Sequence, residues 1–190
     1  GMGEPLANYR NVVDAIHFLT DNKTGFGFSR RKITVSTAGL VPEMAALGRD
    51  AQISLAVSLN ATDNATRSQL MPINRRFPIE TLLEACRRYP LQPHRRITFE
   101  YILLAGINDQ PADARRLAML LRPIRAKINL IPFNEHEGCQ FRRPREAVIL
   151  KFQQHLIDQG YTAIIRNSKG HDISAACGQL KARAEGFPMR

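Results

Sequence analysis

Short, nearly continuous apolar runs alternate along the chain with segments in which apolar residues recur every three or four positions. The runs are rich in β-branched residues and cover residues 32–37, 53–60, 96–104, 127–134 and 162–167. Such runs are typical of strands that are buried on both faces. The other spacing predicts helices over residues 8–19, 78–89, 111–121 and 144–159. Alternation of the two predicts βαβ units with right-handed crossovers, and hence an α/β fold with parallel strands.

The pattern runs through the whole chain without a linker or a low-complexity stretch, so residues 1–190 are expected to form a single domain. No apolar run approaches the roughly 18 residues that a membrane span requires, and no charged and then apolar leader opens the sequence. We therefore expect a cytoplasmic protein that has no membrane partner.

Polar residues stand where the predicted strands end. They are Ser36 and Thr37, Ser58 and Asn60, Asn134, and Asn167. Serine and asparagine also cap helices and begin turns, so each position is weak by itself. Ligands of parallel α/β folds bind at the carboxyl ends of the strands, and the series of coincidences predicts a ligand site at that edge.

The net charge of the chain indicates nucleic acid as a possible partner. The chain has 27 Lys and Arg against 17 Asp and Glu, a formal net charge of +10. Basic residues come in short groups at 29–32, 75–77, 86–89, 94–96 and 142–145. If several share a face, they supply the salt-dependent attraction on which nucleic-acid binding rests. The alternative is an arginine-rich solvated surface, and charge alone does not choose between the two.

The three cysteines, Cys86, Cys139 and Cys177, are an odd number without CxxC spacing, so the sequence indicates neither a disulfide framework nor a self-contained zinc site. In residues 172–180, "DISAACGQL", alanines and a glycine surround Cys177. Small neighbours leave room for reactants to approach the sulfur. They are also what a cysteine packed as a small hydrophobic residue has around it.

Glu100 lies among apolar residues in a predicted strand. The sequence alone assigns it no ligand, because an inward carboxylate paired with an arginine is the commoner arrangement. His136 and His171 lie in predicted loops, where lone histidines are more often surface residues than ligands, and they receive no role either.

Six segments, in chain order, resemble the RlmN and Cfr family of radical S-adenosylmethionine (SAM) enzymes, which methylate adenine in RNA. They are "GMGEPL" at 1–6, "GFGFSRRKITVSTAG" at 25–39, "LAVSLNA" at 55–61, "MPINRRFPIE" at 71–80, "INLIPFN" at 128–134 and "DISAACGQL" at 172–180. The resemblance is to the RlmN branch first. It implies a partial (β/α) TIM-like barrel of the radical SAM type, truncated at its N-terminus.

The resemblance also implies that SAM lies across the carboxyl ends of the strands. Gly3 and Glu4 match the pair that holds the methionine part of SAM, where a carboxylate suits the α-ammonium group. Ser36 matches a serine that contacts SAM. Ser58, Leu59 and Asn60 match the segment beside the nucleoside of SAM, and Asn134 matches one more SAM ligand. Family members often have histidine where this chain has Asn60, which puts a role of that side chain in doubt.

Cys177 matches the methyl-carrying cysteine of the family. In the family's scheme its thiolate takes a methyl group from one SAM, and a radical made from a second SAM at a [4Fe–4S] cluster removes hydrogen from that methyl group. The carbon radical adds to carbon 2 of adenine, and a second cysteine releases the adduct by forming a disulfide with Cys177. Carbon 2 needs this route because it is electron-poor and cannot attack SAM directly.

The CxxxCxxC motif that binds the cluster in the family is absent from the sequence, and the family places it upstream, with the resolving cysteine. We therefore expect the chain to be the carboxyl-terminal part of a longer enzyme and to be inactive alone. A barrel that lacks its first strands has an unpaired sheet edge, so a dimer through that edge is also expected.

The resemblance implies 23S rRNA and tRNA as substrates and an electron donor such as flavodoxin for the full-length protein. Two alternatives stay open at this point. One is a Cfr-like enzyme that methylates carbon 8, and the other is a basic RNA-binding α/β domain without chemistry, in which Cys177 is simply packed.

Overall fold

The computed structural model describes residues 3–135 and 138–166. Five parallel strands form one sheet, in which neighbours along the chain are also neighbours in space. The strands are β1 (Thr34–Thr37), β2 (Ser54–Ser58), β3 (Ile97–Leu103), β4 (Ala126–Pro132) and β5 (Ala163–Ile165). Each lies within one of the five apolar runs or overlaps it, and the predicted α/β fold with parallel strands is confirmed.

Helices connect the strands, as a parallel sheet requires. They are α1 (Tyr9–Thr20), α2 (Val41–Asp50), α3 (Asn64–Leu70), α4 (Ile79–Arg88), α5 (Pro111–Leu121) and α6 (Glu146–Asp158), and short 3₁₀ helices cover Pro5–Asn8, Arg30–Lys32 and Pro72–Arg75. The four predicted helices are α1, α4, α5 and α6. None of the helices in the part described is long and apolar enough to span a membrane.

Alternation along the strands separates an apolar face from a polar one. The side chains that pack against the helices are fully buried and include Leu55, Val57, Phe99, Tyr101, Ile128 and Leu130. The intervening positions on the other face include Ser36, Ser58, Glu100 and Asn129, and Ser58, Glu100 and Asn129 are paired side by side on β2, β3 and β4. The sheet therefore carries its core on one face and a polar row on the other, which is the face that can take a ligand.

The outer strands of the sheet, as far as the structure describes it, are β1 and β5. Dimer formation through such an edge stays a prediction.

Candidate functional site

A cavity of about 620 Å³ lies over the polar face of the sheet, beside β1 and β2. Its lining includes Gly3, Glu4, Ser36, Thr37, Ser58 and Glu100. Two carboxylates thus face one cavity, and none of the described residues that line it is Lys or Arg. In a chain with a net charge of +10 this is an acidic site, and it favours a ligand that carries positive charge.

Glu4 ties the segment before α1 to the carboxyl end of β1. Its Oε1 accepts hydrogen bonds from Thr37 Oγ1 at 2.7 Å and from the Leu6 backbone N–H at 3.1 Å. Its Oε2 accepts from the Ala38 backbone N–H at 2.6 Å. Three donors hold the carboxylate in one orientation at the wall of the cavity, so it is preorganised for a cationic group there.

Glu100 reaches across two strands of the sheet. Its Oε2 accepts a hydrogen bond from Ser36 Oγ of β1 at 2.8 Å and a longer one from Ser58 Oγ of β2 at 3.4 Å. Its partners are therefore the two serines that the sequence had singled out, and the arginine expected for an inward carboxylate is not among its described partners. The sequence contained one usable signal, a charged residue at an inward position of an apolar strand.

The segment that follows β2 is fixed by backbone contacts. The Leu59 N–H donates to the Glu100 carbonyl at 2.9 Å, and the Leu59 side chain is fully buried. Asn60 has a positive φ of 58°, which asparagine and histidine tolerate better than most residues.

The Asn60 side chain is occupied within the chain. Its Oδ1 accepts from the Ile102 N–H at 2.9 Å, and its Nδ2 donates to Met71 Sδ at 3.2 Å. The Asn60 carbonyl accepts from Asn108 Nδ2 at 2.8 Å. These contacts make Asn60 a brace for the strand ends, and neither Leu59 nor Asn60 lines the cavity.

Arg67 of α3 is the functional-site residue that sequence reasoning missed. It is fully buried, and its guanidinium donates to the carbonyls of Leu59 at 3.0 Å, Ala38 at 2.8 Å and Ser58 at 3.2 Å, and to Asn74 Oδ1 at 3.0 Å. Burial lowers the pKa of Arg67 to about 10, so it stays protonated at neutral pH. A single cation thus holds together the carboxyl ends of β1 and β2, from which Ser36 and Ser58 project.

Proteins of known name are similar to the chain over nearly its whole length. The chain is 62% identical over 182 residues to the dual-specificity RNA methyltransferase RlmN of Desulfosudis oleivorans, which covers 96% of the chain and 49% of that relative. It is 57% identical over 185 residues to the protein of the same name from Geobacter sulfurreducens, which covers 97% of the chain and 51% of that relative. The chain belongs to the RlmN family.

Solved structures extend the comparison to the fold. A crystal structure of a radical SAM methyltransferase from Sphaerobacter thermophilus matches with a TM-score of 0.88 and 48% identity, over 94% of this chain and 52% of that one. A domain of pyruvate-formate lyase-activating enzyme from Bacteroides vulgatus matches with a TM-score of 0.64 and 22% identity, over 87% of this chain and 96% of that one, which shows the fold alone. No family model matches the chain. It spans about half the length of the curated relatives it matches.

The structure brings together four of the residues predicted from the RlmN family resemblance, Gly3, Glu4, Ser36 and Ser58, at one cavity. Asn134 is buried just beyond β4 and is not among the residues lining that cavity. Cys177 and Asn167 lie outside the described residues, as do His136 and His171. The roles of all these residues in ligand binding stay predictions.

The described residues of this RlmN family member include two cysteines, Cys86 and Cys139. Cys86 of α4 is buried, and burial raises the pKa of its thiol to about 12. A thiol with that pKa is a poor thiolate, so Cys86 is unsuited to ligate iron or to resolve an adduct. Cys139 is half-buried. Residues 3–135 and 138–166 contain no group of three or more His, Cys, Asp or Glu side chains arranged to hold a metal ion.

Proposed function

We propose that the chain forms the SAM-binding part of an enzyme that methylates carbon 2 of adenine in 23S rRNA and in tRNA. Membership of the RlmN family and relatives named dual-specificity RNA methyltransferases support the RNA substrate. A cytoplasmic location follows from those substrates.

The acidic cavity carries this proposal. SAM has a sulfonium and an ammonium group against a single carboxylate, so a cavity lined by Glu4 and Glu100 without a described basic residue suits it. Serine hydroxyls from Ser36 and Ser58 add hydrogen-bonding groups for its nucleoside. The site residues thus fit SAM in charge and in donor and acceptor type.

In this proposal the residues of the chain bind SAM, orient it and carry the methyl group. Glu4 holds the methionine end of SAM next to Gly3, where the absent side chain leaves open space. Ser58, whose backbone is fixed by Arg67 and by the neighbouring Leu59 N–H, supports the nucleoside. Cys177, which lies outside the described residues, has the role of carrying the methyl group as a thioether before its transfer to adenine.

SAM together with a [4Fe–4S] cluster supplies the methyl group and the radical chemistry when both are bound. The described residues offer no cluster ligands, and the cluster, its electron donor and the resolving cysteine belong to the full-length protein in this proposal. We accordingly infer that the 190-residue chain does not cleave SAM alone.

The test is nucleoside mass spectrometry of 23S rRNA and tRNA from cells that lack the gene and from cells that carry it again. Restoration of 2-methyladenosine by the native gene, and not by a Cys177→Ala gene, is the expected result. Restoration of 8-methyladenosine identifies a Cfr-like enzyme. No change in either nucleoside leaves a basic RNA-binding domain as the function.

A further inference from the structure

We propose that Glu100 is a positioning residue, which fixes the hydroxyl groups of Ser36 and Ser58 so that both serine oxygens turn acceptor lone pairs towards the bound cofactor. The inference rests on the proposed function, since it takes SAM as the occupant of the cavity. It goes beyond the family resemblance, which assigns Glu100 nothing.

The hydrogen bonds carry the first step. A serine hydroxyl has one proton to donate and two lone pairs that accept. Glu100 Oε2 accepts from Ser36 at 2.8 Å and from Ser58 at 3.4 Å, and a bond to a charged acceptor is stronger than one between neutral groups. The Ser36 proton is thereby directed firmly at the carboxylate and the Ser58 proton more weakly, and both serine oxygens keep their acceptor lone pairs free.

The sheet makes this reach possible. Ser58 pairs directly with Glu100, so their side chains stand side by side on the same face. Ser36 is one strand farther away, on β1, and the residue of β2 that pairs with it is Ala56. The small side chain of Ala56 leaves the path from Glu100 to Ser36 open. A carboxylate on β3 can therefore set the direction of hydroxyl groups on both β1 and β2.

This arrangement of the serine hydroxyls selects one orientation of SAM in the cavity. Ribose hydroxyls, the adenine amino group and the ammonium group of SAM are donors, and they find acceptors at Ser36 and Ser58. The SAM carboxylate only accepts hydrogen bonds, and it finds no donor at these two hydroxyls. Glu100 thus keeps the SAM carboxylate away from this part of the cavity.

The experiment measures the SAM dissociation constant of the full-length protein, with its cluster, by equilibrium dialysis. Glu100→Leu releases both hydroxyls and is expected to weaken binding about tenfold, as is the double variant Ser36→Ala with Ser58→Ala. Since Glu100 acts through the serines, the triple variant is also expected to be about tenfold weaker. Glu100→Gln keeps an acceptor oxygen for the serine protons and loses the negative charge, so it is expected to bind SAM about threefold more weakly than the native protein and clearly more tightly than the leucine variant.

Thr98→Val is the matched control, because Thr98 lies two residues before Glu100 on the same face and does not line the cavity. Its affinity for SAM is expected to be unchanged. Melting curves check each fold, and Glu100→Ala replaces the leucine variant if that variant melts early.

Two results overturn the inference while leaving the proposed function intact: a triple variant that is about a hundredfold weaker, and a glutamine variant as weak as the leucine one. Either shows that the Glu100 carboxylate acts on SAM directly. If the native full-length protein does not bind SAM, the proposed function itself fails, and this inference fails with it.

Discussion

Arg67 shows at the scale of one residue how the site depends on a group with no chemistry of its own. Its guanidinium donates hydrogen bonds to the backbone carbonyls of Ala38 and Ser58, which lie at the ends of β1 and β2. Without it these carbonyls stay buried and lose their donors. Because a buried acceptor without a partner is costly, the strand ends that carry Ser36 and Ser58 are stable only with a cation beneath them.

Replacing Arg67 with alanine is therefore expected to lower the free energy of unfolding by about 3 kcal/mol or more. Urea unfolding followed by circular dichroism measures this. Arg115→Ala is the control, since Arg115 is exposed on α5, and a loss of at most about 0.5 kcal/mol is expected. Equal losses in the two variants contradict the bracing role.

Cys86 gives a prediction about pH. Burial raises the pKa of its thiol from 9.0 to about 12, so the folded state keeps its proton in a range where the unfolded state loses it. The stability that Cys86 contributes is complete below pH 9.0 and falls as the pH rises towards about 12. A Cys86→Ala variant is expected to lose less stability than the native protein over that range, as measured by urea unfolding at several pH values.

Alkylation supplies the control for Cys86. At pH 8, iodoacetamide is expected to leave Cys86 unmodified in the folded protein and to modify it in urea, with peptide mass spectrometry as the measurement. Rapid labelling of Cys86 in the folded protein contradicts its burial and the pH prediction with it.

At the scale of elements, the hydrophobic pattern predicts the helices and strands that bury an apolar face. It misses the helices that are stabilised in other ways. All five strands and four helices follow from it. The missed helix α2 contains Gly48 in its C-terminal half, and a glycine within a helix usually interrupts a helical pattern. The missed helix α3, "NATRSQL", has almost no apolar residues, because its buried side is Arg67.

Gly48 is needed for the contact between α2 and the end of α4. A Cβ at this position would come 2.6 Å from Pro90 Cδ and 3.1 Å from a Tyr89 ring carbon, inside van der Waals distance. We expect Gly48→Ala to lower the free energy of unfolding by about 1–3 kcal/mol in urea unfolding, because the neighbours are a rigid ring and a buried aromatic side chain.

Gly3→Ala is the comparison for Gly48, since a Cβ there has nothing within 4 Å. Its stability is expected to be unchanged. If Gly48→Ala is as stable as the native protein, α2 and α4 are not packed as closely as the structure has them.

The candidate site was predictable in part for the same physical reasons. Serines at strand ends were visible in sequence, because strand periodicity and resemblance both point to Ser36 and Ser58. The sequence showed Glu100 as an unusual charged residue in an apolar strand, but it did not predict the contact with the serines. The strand pairing that places Glu100 beside Ser58 joins residues 42 positions apart in the chain. Such contacts depend on strand register, which the local pattern does not contain.

At the scale of the whole molecule, the surface and the cavity carry charge of opposite sign. The surface carries an excess of basic residues, and the net charge of +10 suits a polyanion such as RNA. The cavity on the polar face of the sheet is acidic, with Glu4 and Glu100 in its wall. Under the proposed function, opposite charge in the two places lets one protein attract RNA at its surface and hold a cationic cofactor in the cavity.

The measurement that tests the central claim most directly is a peptide mass map of the full-length protein, purified without oxygen from cells that make it. The account predicts one added methyl group on Cys177, and none on Cys86, which is buried. An unmodified Cys177, in a protein that holds its cluster and methylates RNA, would contradict the account and would mean that small neighbours surround this cysteine for packing alone.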